Sequence, residues 1–267
     1  GNRNTAIGYK SLEALNYAGD GYNTGCGYAT GMSITTGIRN TIIGGLAGDA
    51  LTTASDNVAI GYGTLTTEDD GGRNTAIGMN ALSTLNAGAD GNNVAVGYTA
   101  GALMSTGVEN TIIGSHAGDA LTTGARNTAL GYQALSSEDT GGRNVAIGYQ
   151  TLLNQNNDAY NYNVAIGYSA GKEITTGTSN VIVGALAGDA ITDGTVNTLI
   201  GYQAGTSLTS GSSNVAIGYL ALATEDGHGR NIAIGQQALE DLNAGANGNN
   251  IAIGYDCGKQ MTTGTLN

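Results

Sequence analysis

The sequence predicts an all-β fold, a parallel β-solenoid or β-roll of fifteen stacked coils, and three observations lead there. A motif of the form Asn-x-small/apolar-Ile-Gly-Tyr recurs fifteen times, opened by Asn4, Asn23, Asn40, Asn57, Asn74, Asn93, Asn110, Asn127, Asn144, Asn163, Asn180, Asn197, Asn214, Asn231 and Asn250. The spacings are 17 or 19 residues and no other value, which is how a repeat architecture shows itself in sequence. The composition excludes an ordinary globule. The 267 residues include 46 Gly but no Pro, Trp or Phe, so the usual large core fillers are missing. Flexible low-complexity chain is excluded as well, because the 40% of hydrophobic residues recur at fixed positions.

A longer period overlies the short one. Asn4, Asn74 and Asn144 are each 70 residues apart, and each opens one 19-residue coil followed by 17-residue coils. The blocks run 4–73, 74–143, 144–230 and 231–267, with the coil from Asn197 as an insertion in the third. Residues 1–267 read as a single repeat region, expected to be part of a longer protein and to span about 70 Å at ~4.8 Å per layer.

Within a coil, Asn-Thr/Val-Ala-Ile-Gly-Tyr reads as a turn entering a strand, since Thr, Val, Ile and Tyr suit a pleated backbone. Seventeen residues leave room for about two strands and two turns. Helices are excluded by the absence of a 3.6-residue apolar stripe and by Gly in every window. The lead Asn is the turn residue, able to bond its own backbone and to stack as an amide ladder. Ile at the fourth position, replaced by Cys26, Val96, Leu130 or Val183, is expected to be a core column.

Two later positions trade volume. Coils with Gly four residues after the motif Gly carry Ile34, Leu51, Met104, Leu121, Ile174 or Met261 three positions on. Coils with Leu65, Leu135 or Leu222 there carry Glu68, Glu138 or Glu225 instead. Such an exchange suits a thin core in which one large group is supplied from either place. Both faces of the strand are free of charge, which points to a sheet covered on both sides, the second cover being further copies of the chain.

At this point NTAIGYKSL, NVAIGYSAG, NTALGYQAL and NVAIGYLAL resemble the repeats of bacteriophage tail fibres and of trimeric autotransporter adhesins with YadA-type heads. The resemblance covers the whole chain. It implies a left-handed roll that trimerises, placed outside the cell or on a virion surface, and used in host-surface attachment. This sequence departs from that pattern in its 17- or 19-residue coils and in the Tyr that follows Gly in ten of them.

Chemistry-bearing residues are few, and no enzyme activity or cofactor is expected. His116 and His228 are the only histidines, read as incidental surface residues. Gly19-Asp20-Gly21 lacks the strand–turn–helix setting of a phosphate loop. The acidic turns (Glu68, Asp69, Asp70; Glu138, Asp139; Glu225, Asp226) could offer oxygens to Ca²⁺, but consecutive acids do not make an alternating ligand set. They read as solvated turns, and no metal is assigned. Cys26 and Cys257 read as small buried hydrophobes.

Tyr9, Tyr28, Tyr62, Tyr98, Tyr132, Tyr149, Tyr168, Tyr202, Tyr219 and Tyr255 form a broken column. It either packs between chains or stacks on sugars, with packing preferred because the third coil type replaces Tyr with Gly45, Ser115 or Ala185 while gaining Ile42, Ile112 or Ile182. The Thr pairs (Thr35-Thr36, Thr52-Thr53, Thr122-Thr123, Thr175-Thr176, Thr262-Thr263) raise ice binding, but neighbours in a strand point oppositely. The net charge of −12 excludes the basic surface that nucleic-acid backbones require, and no apolar run reaches the ~20 residues of a membrane span. The expected partners are therefore copies of the chain itself, as a homotrimer or a homopolymeric filament, and a cell-surface glycan or receptor.

Overall fold

The computed structural model describes residues 2–245 and 247–267. They form an all-β solenoid with fifteen parallel strands, one per coil. The chain divides into two compact units, residues 1–130 and 131–267. The first holds β1 (Thr5–Ile7), β2 (Thr24–Cys26), β3 (Thr41–Ile43), β4 (Val58–Ile60), β5 (Thr75–Ile77), β6 (Val94–Val96), β7 (Thr111–Ile113) and β8 (Thr128–Leu130). The second holds β9 (Val145–Ile147), β10 (Val164–Ile166), β11 (Val181–Val183), β12 (Thr198–Ile200), β13 (Val215–Ile217), β14 (Ile232–Ile234) and β15 (Ile251–Ile253). Within each unit successive strands pair in parallel and in register, so each motif position stacks on itself, as in Val164↔Val181, Ala165↔Ile182 and Ile166↔Val183.

Each coil therefore has one three-residue strand, where the sequence suggests two. The remaining residues are stacked turns whose backbone N–H groups still donate to the next coil, as Thr35 does to Thr52 and Thr175 does to Thr192. Left-handed residues prevent a second pleat. The residue before each lead Asn has φ near +60°, for example Arg39, Ser179 and Arg230, and so do Leu65, Leu135 and Leu222. A β-branched or long side chain in that region costs about 1–2 kcal/mol, so these turns depend on their neighbours to hold them.

The strand faces are reversed from expectation. The core column is the middle residue of the strand, and Ala59, Ala95, Ala146, Ala165, Ala216 and Ala233 are all buried. The Ile column points outward: Ile7, Ile43, Leu130, Ile166, Ile200 and Ile253 are exposed, Ile7 at 59%, and Cys26 is half-buried beside them. Alternation along a strand allows only one of the two sets to face in. Inside the coil, the far wall already supplies Leu or Ile side chains, which leaves room under the sheet for a methyl group. Cys257, also half-buried, likewise departs from the expected buried position.

The volume exchange has a visible basis. A Cβ on Gly31 would lie 2.9 Å from both Ile34 Cδ1 and Ile42 Cδ1, and a Cβ on Gly48 would lie 2.7 Å from Leu51 Cδ1. The isoleucine gained in coils without Tyr thus fills core space opposite Gly31 and Gly48, and does not replace the missing ring, which would stand outside. Thr30, Thr64 and Thr151 occupy a buried small-residue column, and Thr64 and Thr151 donate to the carbonyls of Gly78 and Gly167 at 2.7 and 2.8 Å.

The motif glycines stack on one another with no room for a side chain. Gly148 has φ +136°, and a Cβ there would sit 2.2 Å from the carbonyl oxygen of Gly167. Neither backbone can retreat, because both are tied into the parallel ladder. Gly148→Ala should therefore cost about 3 kcal/mol or more, summing backbone strain and overpacking. Gly88→Ala, at φ +62° with nothing within 4 Å, should cost only about 1 kcal/mol. Denaturant melts of the two variants check this contrast, and equal losses would refute the close-stacking account.

Candidate functional site

Three features of the coil bear chemistry: the asparagine column, the outward face of the sheet and the acidic turns. In the 17-residue coils a lead Asn such as Asn40 or Asn163 bonds in two directions. Its Oδ1 accepts the backbone N–H of the next lead Asn, as from Asn40 to Asn23 at 2.9 Å and from Asn180 to Asn163 at 2.8 Å. Its Nδ2 donates across its own coil to the carbonyl fourteen residues on: Asn40 to Ala54, Asn163 to Gly177 and Asn197 to Gly211, at 2.7–2.8 Å. The ladder is chiefly side chain to backbone, with direct amide contacts such as Asn197 to Asn180 at 3.1 Å added in places. In the 19-residue coils the extra residues alter the far turn, and the Nδ2 atoms of Asn74 and Asn231 have no partner. These buried amides leave no donor facing solvent, so the column's chemistry is structural.

The outward face carries three parallel columns: Thr or Val before the core Ala, Ile after it, and Tyr after the motif Gly. All ten column tyrosines are 43–70% exposed. Several stack in short runs. Tyr132, Tyr149 and Tyr168 lie at 5.4 and 5.3 Å between centroids, with interplanar angles of 17° and 5°, and Tyr202 stacks on Tyr219 at 5.7 Å. At the other end of the motif, the residue before the lead Asn is charged in several coils. Arg39 pairs with Asp56 at 2.5 Å, Arg73 with Asp90 at 2.8 Å and Arg126 with Glu109 at 2.6 Å. The Arg39 guanidinium holds the Asp56 carboxyl below its ordinary value.

The Thr pairs do not form a free hydroxyl array. Thr35, Thr52 and Thr175 turn their hydroxyls to carbonyls of the next coil, those of Thr52, Asp69 and Thr192.

The acidic turns are the main correction to the sequence reading. Glu68, Glu138 and Glu225 are fully buried, while the acids beside them remain at the surface. Each glutamate occupies the core column used elsewhere by Ile34, Leu51 or Leu121. The carboxylate turns back to cap backbone donors. Gly71 N–H donates to Glu68 Oε1 at 2.8 Å and Ala87 N–H to Oε2 at 3.2 Å. Gly141 N–H donates to Glu138 Oε1 at 2.8 Å, and Asn161 Nδ2 donates to Oε2, also at 2.8 Å. Burial raises the pKa of both Glu68 and Glu138, the backbone donors opposing it in part. Around Glu138 the polarity spreads: Gln155 replaces the usual Leu, and its Nε2 and the Oδ1 of Asn161 are buried without partners.

The third turn differs from the other two. His228 stands where the first two have Gly71 and Gly141. Its backbone N–H lies 3.2 Å from Glu225 Oε1, and its Nδ1 lies 2.9 Å from the same oxygen. His228 is thus tied to a buried acid and is not incidental. His116 also has partners, its Nδ1 lying 3.2 Å from Asp119 and 3.0 Å from the Thr99 hydroxyl. Sequence reasoning missed the buried acids although it placed Glu and Leu in one column; the column identity was itself the signal. Among the described residues no helix is long and apolar enough to cross a membrane. Comparison with protein-family models and with curated proteins returns no match for this chain.

Glu68 and Glu138 set the pH response. Their folded pKa lies above the ordinary 4.5, so folding favours the protonated acid, and their contribution is full below 4.5 and lost as pH rises through the folded value. Asp56, Asp70 and Asp226 lie below the ordinary 3.8 and act oppositely, their contribution being lost as pH falls below it. Stability should therefore rise on acidification from pH 7 toward about 4.5. Glu138→Gln should stabilise the fold by about 1 kcal/mol at pH 7, since Asn161 can reverse its amide and present Oδ1 to the new Nε2. The same variant should flatten the pH dependence measured by thermal melts from pH 4 to 8; an unchanged slope would refute this.

Proposed function

We propose that this chain is a structural segment of an extracellular or virion-surface fibre, a shaft or head of the phage tail-fibre or surface-adhesin type. Its copies join laterally through the outward face of the sheet. One observation carries the reading: the Thr/Val, Ile and Tyr columns form an uncharged, largely apolar surface that nothing in the single chain covers. Ordered apolar patches of this kind mark association surfaces, and interface cores are depleted in charge and rich in Tyr. The occupant is a second copy of the chain. Only a partner with the same layer spacing of ~4.8 Å can keep its own side chains in step with three columns over many coils. The Arg–Asp edge then falls at the rim, where charge is tolerated. Closed symmetry, such as a homotrimer, covers every such face at once, whereas an open arrangement leaves one uncovered.

This role requires no catalytic group and no cofactor. The buried asparagines and inward glutamates act as scaffold, and the repeat adds length one layer at a time.

A second reading is favoured by the tyrosine stacks. Tyr132, Tyr149 and Tyr168 present a flat, exposed aromatic strip of the sort that stacks on the apolar faces of sugar rings, which would make the same face a glycan-binding surface for attachment.

Light scattering on the intact chain should report an oligomer. Ile166→Lys combined with Ile200→Lys, both on the exposed column, should weaken assembly at least ~100-fold while leaving the circular dichroism spectrum unchanged. A monomeric wild-type chain would sink the assembly reading. If that monomer binds a glycan array and Tyr149→Ala abolishes the signal, the glycan reading takes its place.

A further inference from the structure

We infer that Glu225, Asp226 and His228 form a binding site for a divalent transition cation of the Zn²⁺ class. The site goes beyond the fibre role, and three facts support it.

The donor atoms converge. Glu225 Oε1, Asp226 Oδ1 and His228 Nδ1 all lie within 4.8 Å of one another. Nδ1 is 2.9 Å from Oε1 and 3.6 Å from Oδ1. Ligand atoms held ~2.0–2.1 Å from one ion stand roughly 2.9 Å apart in octahedral and 3.4 Å apart in tetrahedral geometry. The separations of 2.9 and 3.6 Å bracket those values. The Asp226 side chain, 54% exposed, has the freedom to close the remaining fraction of an ångström.

The set is preorganised and open on one side. The Glu225 side chain is fully buried, and its Oε2 is fixed by the Ala244 N–H at 3.2 Å. Asp226 Oδ1 accepts the Gly227 N–H, an outer hydrogen bond of the kind that orients metal ligands. The His228 side chain is 27% exposed, so the face opposite Glu225 meets solvent and leaves positions for water, as at open zinc sites. One imidazole with two carboxylates selects a borderline cation over Ca²⁺ or Mg²⁺, which prefer oxygen alone.

The chain contains its own controls. In the two related turns Gly71 and Gly141 hold the position of His228, and their N–H groups reach the buried glutamate at 2.8 Å. A Cβ on either would lie 2.5 Å from that carboxylate oxygen. The third turn accepts a side chain there, with the corresponding bond lengthened to 3.2 Å, and sets the imidazole nitrogen on the carboxylate. Both acids direct their ion pairs to this one ring. A dication held by this ring is balanced by the two carboxylates beside it.

The test is calorimetric titration of the intact, chelator-treated chain with Zn²⁺ at pH 7. One saturable site per chain is expected, and His228→Gly, which restores the residue found in the sister turns, should weaken it at least ~10-fold. His116→Ala should leave it unchanged. Asp226→Asn, at an exposed position, gives a second loss that does not depend on how the His228 variant folds. Bound Co²⁺ should show visible absorption bands that disappear in His228→Gly. No saturable uptake, or uptake indifferent to both His228→Gly and Asp226→Asn, would overturn the assignment.

Discussion

The lead asparagine is the interaction on which the rest of the coil depends. One side chain closes its own coil through Nδ2 and caps the next coil's backbone through Oδ1, so closure and stacking share a single residue. An Asp could accept but not donate, and a Gln would reach one carbon too far, so the 17-residue coils call for Asn at this place. Because the amide bridges adjacent layers at ordinary hydrogen-bond length, it holds the layers close. The motif glycines beside it must then pass backbone against backbone, where no Cβ can fit.

That close stacking leaves a narrow interior. The middle strand residue is Ala in most coils, and Ile42, Ile112, Ile182 and Leu199 reach across toward Gly48, Gly118, Gly188 and Gly205 on the far wall. In the three 17-residue coils whose wall is Leu65, Leu135 or Leu222, the following core place is taken by a glutamate that folds back onto backbone N–H groups. These turns are thus held by a buried carboxylate serving as a backbone cap. The cost of burying the charge appears as a raised pKa in Glu68 and Glu138. In the third turn the same carboxylate is joined by an imidazole, and a structural cap gains the donor set of a metal ligand.

The narrow interior also decides the outside. With alanine filling the inward column, the larger strand residues must point out, and the chain carries its Ile and Tyr columns on the surface. A monomeric protein seldom displays so ordered an apolar face. The proposed lateral assembly follows from this inversion, and the even layer spacing makes a like chain the natural cover.

Periodicity alone determined the repeat, its coil boundaries, the parallel stacking and the all-β class, because one Asn-x-x-Ile-Gly motif at 17- or 19-residue spacing admits no other regular arrangement. The exchange between Leu and Glu was legible too, as a paired substitution at two fixed places. Sequence could not decide which strand face turns inward. Ala and Ile alternate with the same period of two, and the choice depends on how much space the opposite wall leaves. Nor could it decide that Glu68, Glu138 and Glu225 are buried, since a carboxylate enters a core only where backbone donors converge on it. One donor is local, Gly71 for Glu68 and His228 for Glu225, but the second comes from the next coil in the stack: Ala87 for Glu68 and Ala244 for Glu225, each nineteen residues on. Such groups become neighbours only when the coils are stacked, and the tertiary structure alone brings them together.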